Sequence, residues 1–158
     1  MKKYFPVFFF LFACTRLAAQ SITPLTSEFG KKAAGSFTVT NNGLRPLNVT
    51  LEKRGFTVSP EGVPTLTPLP AGVRLELGVT STSIGIGQSH TFFYKMTCDT
   101  LPCHAQVLAL MMSGEKTAEG FKLALGLPTV IYVCEKKKNC RADTLRSYGY
   151  DVTLAAKK

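Results

Sequence analysis

The chain has 158 residues, 45% of them hydrophobic, and a formal net charge of +9. Lys2, Lys3 and Arg16 supply three of those charges, and about +4 of the remaining +6 falls between Glu135 and Lys158, so the basic character belongs to a terminal segment and not to a face of the domain. With no interleaved basic and aromatic residues this distribution argues against nucleic-acid binding, and beyond residue 20 no apolar stretch is long enough to span a bilayer.

Residues 1–20 have the three-part layout of a secretory signal. Lys2 and Lys3 form a positive start, Tyr4 to Ala13 is a short apolar run, and Leu17-Ala18-Ala19-Gln20 offers a cut after Ala19 or Gln20. Leu11-Phe12-Ala13-Cys14 also resembles a lipobox with a bulky Phe12, which leaves a lipid anchor at Cys14 open. The expectation is an exported protein, periplasmic or on the cell surface.

After Ser21 the chain alternates with period two, the mark of half-buried strands. Phe37-Thr-Val39 and Leu47-Asn-Val49-Thr-Leu51 flank Asn41-Asn42-Gly43 and read as a hairpin. Phe56-Thr-Val58 continues the pattern, and a stretch crowded with Pro and Gly from Pro60 to Gly72 cannot be a central strand. Val73-Arg-Leu75-Glu-Leu77-Gly-Val79 alternates cleanly, Gly85, Gly87 and Gln88 mark a turn that also holds His90, and Phe92 to Met96 follows. Val107 to Met112 is a continuous apolar run, expected to be buried on both faces or nearly so. Ser113 to Gly120 reads as a loop, Phe121-Lys-Leu123-Ala-Leu125-Gly-Leu127 alternates again, and Val130 to Val133 closes the series. These features predict an all-β, immunoglobulin-like β-sandwich of about seven to eight strands over residues 21–133, followed by a basic tail, 134–158.

Four cysteines follow the leader: Cys98, Cys103, Cys134 and Cys140. In an exported chain an even count reads as two disulfides, and the short spacings favour local pairs, although the sequence allows other connectivities. A zinc site made from these thiolates with His104 fits less well, because structural zinc sites favour closer spacing within each pair. No metal or cofactor is expected. The lack of Trp and of a widely spaced Cys pair argues against a disulfide-pinned antibody-type domain.

The order of features resembles the N-terminal immunoglobulin-like domain of the PapD-like periplasmic pilus chaperones. The matching pieces are Ile22-Thr23-Pro24-Leu25-Thr26, the strand from Phe37 into Asn41-Asn42-Gly43, Val73-Arg74-Leu75, Gly87-Gln88 into Phe92-Phe93-Tyr94, and Phe121 to Leu127 leading to Val130-Ile131-Tyr132. The resemblance implies that the last alternating strand lends its side chains to an extended segment of a surface or pilus-type subunit by strand addition. Phe121, Leu123 and Leu125, with Leu127 extending the row, match the donor positions. The alternative is that these four face the domain's own core. The family also clamps a subunit carboxylate with two basic residues, and here Thr26 and Val130 stand at those positions. A second sandwich domain is not expected from the residues after Cys134, so the resemblance implies a diverged, single-domain relative.

No active site is legible. His90 and His104 read as surface or loop residues with no partnered nucleophile or carboxylate, and Cys98-Asp-Thr-Leu-Pro-Cys103 is too widely spaced for a redox pair. Two functions from different classes are therefore in play. One is an exported chaperone-like or assembly-accessory domain that binds an extended protein segment. The other is a structural or adhesive cell-surface module without chaperone activity.

Overall fold

Alternating side chains produce the two layers observed in the computed structural model, which describes residues 20–59, 61–113, 124–136 and 140–147. Among these residues ten strands and one helix follow in order: β1 (Ser21–Thr23), β2 (Thr26–Gly30), β3 (Ala33–Thr40), β4 (Leu47–Val58), β5 (Pro64–Thr67), β6 (Val73–Leu77), β7 (Ser81–Ile84), β8 (Ser89–Cys98), β9 (Cys103–Ser113), β10 (Ala124–Cys134) and α1 (Cys140–Ser147). One sheet has the order β1-β3-β8-β6, the other β2-β10-β9-β4-β5, with β7 also paired to β4. The excess over seven to eight comes from short pieces: β5 and β7 have four residues each, and the first strand is broken into β1 and β2.

Between the sheets lies one core. Val39, Val49, Met96, Val107, Ala109, Met111, Ile131 and Val133 are buried there, and Phe37 stacks on Phe92 with ring centroids 5.3 Å apart. Such close packing makes each inward side chain costly to truncate. Val107, Ala109 and Met111 fill the core, whereas their neighbours Leu108, Leu110 and Met112 are half-buried on the other face of β9, so the apolar run is buried fully on one side only.

Three sequence expectations are corrected. The segments around Asn41 are not a hairpin: β3 pairs with β1 and β8, while β4 pairs with β9, β5 and β7 in the opposite sheet. Asn41 instead ties the crossing together. It is fully buried, its Nδ2 donates to the carbonyls of Arg45 (2.8 Å), Ile84 (3.1 Å) and Gly85 (3.1 Å), and its Oδ1 accepts the Gly43 N–H at 3.0 Å. His90 lies within β8, against the Phe92 ring, and not in a turn. His104 is buried in β9, its ring 4.3 Å from that of Phe56.

The two disulfides are local. Cys98–Cys103 joins the end of β8 to the start of β9 across the sheets, with Cα atoms 6.5 Å apart. Cys134–Cys140 joins β10 to α1, with Cα atoms 5.5 Å apart. Loops this short are each worth about 2 kcal/mol in the chain-entropy model. The segment expected as a tail thus starts on the last residue of β10 and holds the helix α1. Its Cys140 joins Phe56, Tyr132 and Cys134 in a second buried cluster, with Val58, Val130 and Leu145 against it. The Pro-rich stretch supplies β5, whose Pro64 sits opposite Val58 at the sheet margin, where a missing N–H is tolerated.

Candidate functional site

The first strand changes sheets at Pro24. Before it, Ser21–Thr23 pair antiparallel with Thr38–Thr40 of β3; after it, Thr26–Gly30 run parallel to Val130–Cys134 of β10. The switch is held by two bonds: the Thr129 hydroxyl donates to the Pro24 carbonyl at 2.7 Å, and the Val130 N–H donates to the Leu25 carbonyl at 2.9 Å. Thr129 is buried, so its hydroxyl needs that acceptor.

This switch leaves part of β10 with one partner. β10 pairs with β9 from Ala124 to Val133, but with β2 only from Val130 onward. Among the described residues no strand pairs with the other edge of Ala124–Pro128. Strand geometry says which groups are presented there. A strand residue directs its N–H and C=O to one side, alternating along the chain, and the Val130 N–H and the Cys134 carbonyl both point to the β2 side. Ala124 and Gly126 therefore direct N–H and C=O to the open edge, Pro128 directs a carbonyl alone, and Leu125 and Leu127 bond β9. Pro128 is accommodated because its missing donor falls on the open side.

Side-chain burial falls steadily along the inner face of the same strand. Val133, Ile131 and Thr129 are buried, Leu127 is half-buried against the core, and Leu125 is 42% exposed. Leu125 thus belongs to the core-facing row, at a point where the domain's own core has ended. On the other face Gly126 lets the Leu108 and Leu110 side chains lean in, since a Cβ there would lie 3.3 Å from Leu108 Cδ1 and 3.6 Å from Leu110 Cδ2. Leu25 beside the switch is 60% exposed. The open edge is therefore apolar on both sides, and Ala124–Pro128 contains no charged residue.

Of the residues singled out from sequence, Leu125 and Leu127 lie on this edge strand; Phe121 and Leu123 lie outside the described residues. The two suspected clamp positions come together, since Thr26 is the direct register partner of Val130. Neither side chain carries a charge for a carboxylate. The sequence reading missed Pro24 and Thr129 as the residues that set where the edge begins.

His104 is remote from this edge strand's open half, packed between Phe56 and Tyr132. A carbonyl only accepts, so the 2.9 Å contact with Phe56 puts a proton on Nε2. Burial lowers the His104 pKa below the usual histidine range, with the Phe56 carbonyl opposing it in part. Desolvation likewise raises the Tyr132 hydroxyl above its ordinary value. These are features of a packed aromatic cluster under α1. Among the described residues no group of three or more His, Cys, Asp or Glu is placed to hold a metal ion, and no helix is long and apolar enough to cross a membrane.

No protein-family model and no curated protein matches the sequence. Solved structures do resemble the fold. The class 5 fimbriae chaperone CfaA superposes with a TM-score of 0.54 at 10% identity, over 75% of this chain and 57% of that one. A structure of the Salmonella enterica SafA pilin in complex with the SafB chaperone gives 0.53 at 11% identity, over 76% and 56%. SSP-19, an MSP-domain-like protein of Caenorhabditis elegans, gives 0.51 at 7% identity, over 72% and 98%. The chain therefore spans just over half the length of the chaperone structures and nearly all of SSP-19. At these identities the likeness is one of fold, and the fold is a PapD-like, immunoglobulin-like β-sandwich.

Proposed function

We propose that this protein is an exported, chaperone-like or assembly-accessory module that binds an extended segment of a surface or pilus-type protein by strand addition along β10. The observation that carries the reading is the half-paired strand. Ala124–Pro128 is held by β9 on one side and open on the other, with Leu125 emerging from the core-facing row. An incoming strand would take its backbone bonds from Ala124, Gly126 and the Pro128 carbonyl, and cover Leu125 and Leu127 with its own side chains. Phe121 and Leu123 would lengthen that row on the approach to Ala124. With Thr26 and Val130 at the clamp positions, affinity rests on pairing and apolar contact and not on a captured carboxylate. Export is proposed from the leader in residues 1–20, which lie outside the described part except for Gln20.

The test is binding of a labelled peptide with alternating large apolar residues, followed by fluorescence anisotropy. Leu125→Arg should abolish binding, and Leu66→Arg should leave it intact. Leu66 is also exposed but lies on β5, opposite Phe56 at the other side of the same sheet. Equal loss in both variants, or none in either, contradicts the proposal.

A further inference from the structure

The opposite sheet ends in a second open edge, β6. Its sequence Val73-Arg74-Leu75-Glu76-Leu77 pairs with Cys98 to Tyr94 of β8 on one side and, among the described residues, with no strand on the other. The Gly78 N–H donates to the Phe93 carbonyl and the Asp99 N–H to the Gly72 carbonyl, each at 3.0 Å, so the even-numbered positions face β8. Val73, Leu75 and Leu77 therefore turn their backbone groups to the open side, with the Val73 N–H already given to the Pro70 carbonyl at 3.1 Å.

This edge is complementary to itself. In an antiparallel pair centred on Leu75, every cross-strand neighbour matches: Val73 meets Leu77, Arg74 meets Glu76, and Leu75 meets Leu75 of the second copy. The centre is a hydrogen-bonded position, so each Leu75 exchanges N–H and C=O with its counterpart, and each Leu77 N–H reaches a Val73 carbonyl. Opposite charges directly across a strand pair stabilise it, and like charges destabilise it. Charge continues across the outer face. Within the chain Glu76 is the register partner of Lys95, so the joined sheets would carry a row Lys95, Glu76, then Arg74 of the second copy.

Two further observations favour a second copy here. Arg74 donates to Asp99 at 2.5 Å, yet its side chain is 70% exposed, which leaves other N–H groups for a carboxylate across the interface. Phe93 is 66% exposed beside Gly78, where a Cβ would meet only the Phe93 carbonyl oxygen, at 3.7 Å. The ring thus borders a shallow groove that is also lined by Glu76, Leu77 and Gly78 at the end of the edge strand and by Lys95 of β8.

We infer that β6 is a homotypic docking edge: two copies of this chain join across a two-fold axis through Leu75, forming one continuous sheet. Symmetric closure of this kind requires one surface that fits itself, which the Arg74/Glu76 arrangement provides. The contact is short, so the association is weak, with Kd between about 1 μM and 1 mM. This edge is on the other sheet from the open part of β10, so the inference stands or falls separately from segment binding there.

Sedimentation velocity on the full chain over a concentration series is the test. Wild type should show a reversible monomer–dimer equilibrium. Glu76→Arg and Arg74→Glu should each weaken it at least about tenfold, by placing like charges opposite one another. Mixing the two variants should restore dimers, because the all-basic and all-acidic edges then face each other. Circular dichroism checks that each variant folds. If Arg74→Glu does not fold, hydrogen exchange on wild type decides: the Leu75 and Leu77 amides should slow with concentration while the Glu76 amide, already bonded to β8, is unchanged. A monomer up to about 1 mM, a Glu76→Arg dimer of wild-type affinity, a folded mixture that stays monomeric, or a dimer with unchanged Leu75 and Leu77 exchange would overturn the inference.

Discussion

Truncating side chains along the inner face of β10 should show a gradient in cost that tracks the end of the core. Ile131 is fully buried, so Ile131→Ala removes packed methyl groups and leaves a cavity, costing about 2–5 kcal/mol. Leu125, on the same face of the same strand, is already 42% exposed. Full burial of a Leu side chain is worth about 1.5–3 kcal/mol, and little more than half of this residue is covered, so Leu125→Ala should cost about 1 kcal/mol, with no cavity contribution at an open site. Leu127→Ala should fall between them. Covering the rest of Leu125 in a complex gains about 1 kcal/mol, or roughly fivefold in affinity. Urea denaturation gives the first set of values and peptide titration the last. If Leu125→Ala destabilises the free protein as much as Ile131→Ala, the residue belongs to the domain's own core and the binding assignment fails.

Asn41→Ala leaves three carbonyls and the Gly43 N–H without their side-chain partner and should cost about 2–4 kcal/mol by denaturation, given that some regain water. Because the folded pKa of His104 is depressed, the unfolded chain takes up a proton below about pH 6.5 while the folded chain does not. Stability should therefore be constant in this respect above that pH and fall as the pH drops toward the folded value; His104→Gln should flatten the dependence below about pH 6.5 in pH-dependent melts. A binding peptide with a free C-terminus and its amidated form should bind equally well by titration calorimetry, because Thr26 and Val130 offer no charge to a carboxylate.

The fold class was legible because period-two alternation is a local property: each strand shows it whichever sheet it joins. Partner choice is not local. The Asn41-Asn42-Gly43 segment has hairpin composition, yet it carries the chain between sheets, and only the buried Asn41 amide reaching Ile84 and Gly85 reveals why. β5 and β7 are too short to show a period and depend on β4 for pairing. His104 follows a cysteine expected in a short disulfide loop, and its burial comes from Phe56 and Tyr132, distant in sequence. α1 has no apolar stripe to read; a disulfide and Leu145 dock it. At the candidate site the Leu125 and Leu127 spacing was visible, but the open edge depends on the sheet switch at Pro24, a matter of topology.

Amide hydrogen exchange by NMR, residue by residue along β10, tests the central claim most directly. In the free protein the Leu125 and Leu127 amides should be protected by β9 while those of Ala124 and Gly126 exchange quickly, and an extended binding segment should slow the latter pair with little change in the former. Protection of Ala124 and Gly126 in the free protein, or fast exchange at both in a saturated complex, would contradict strand addition at this edge.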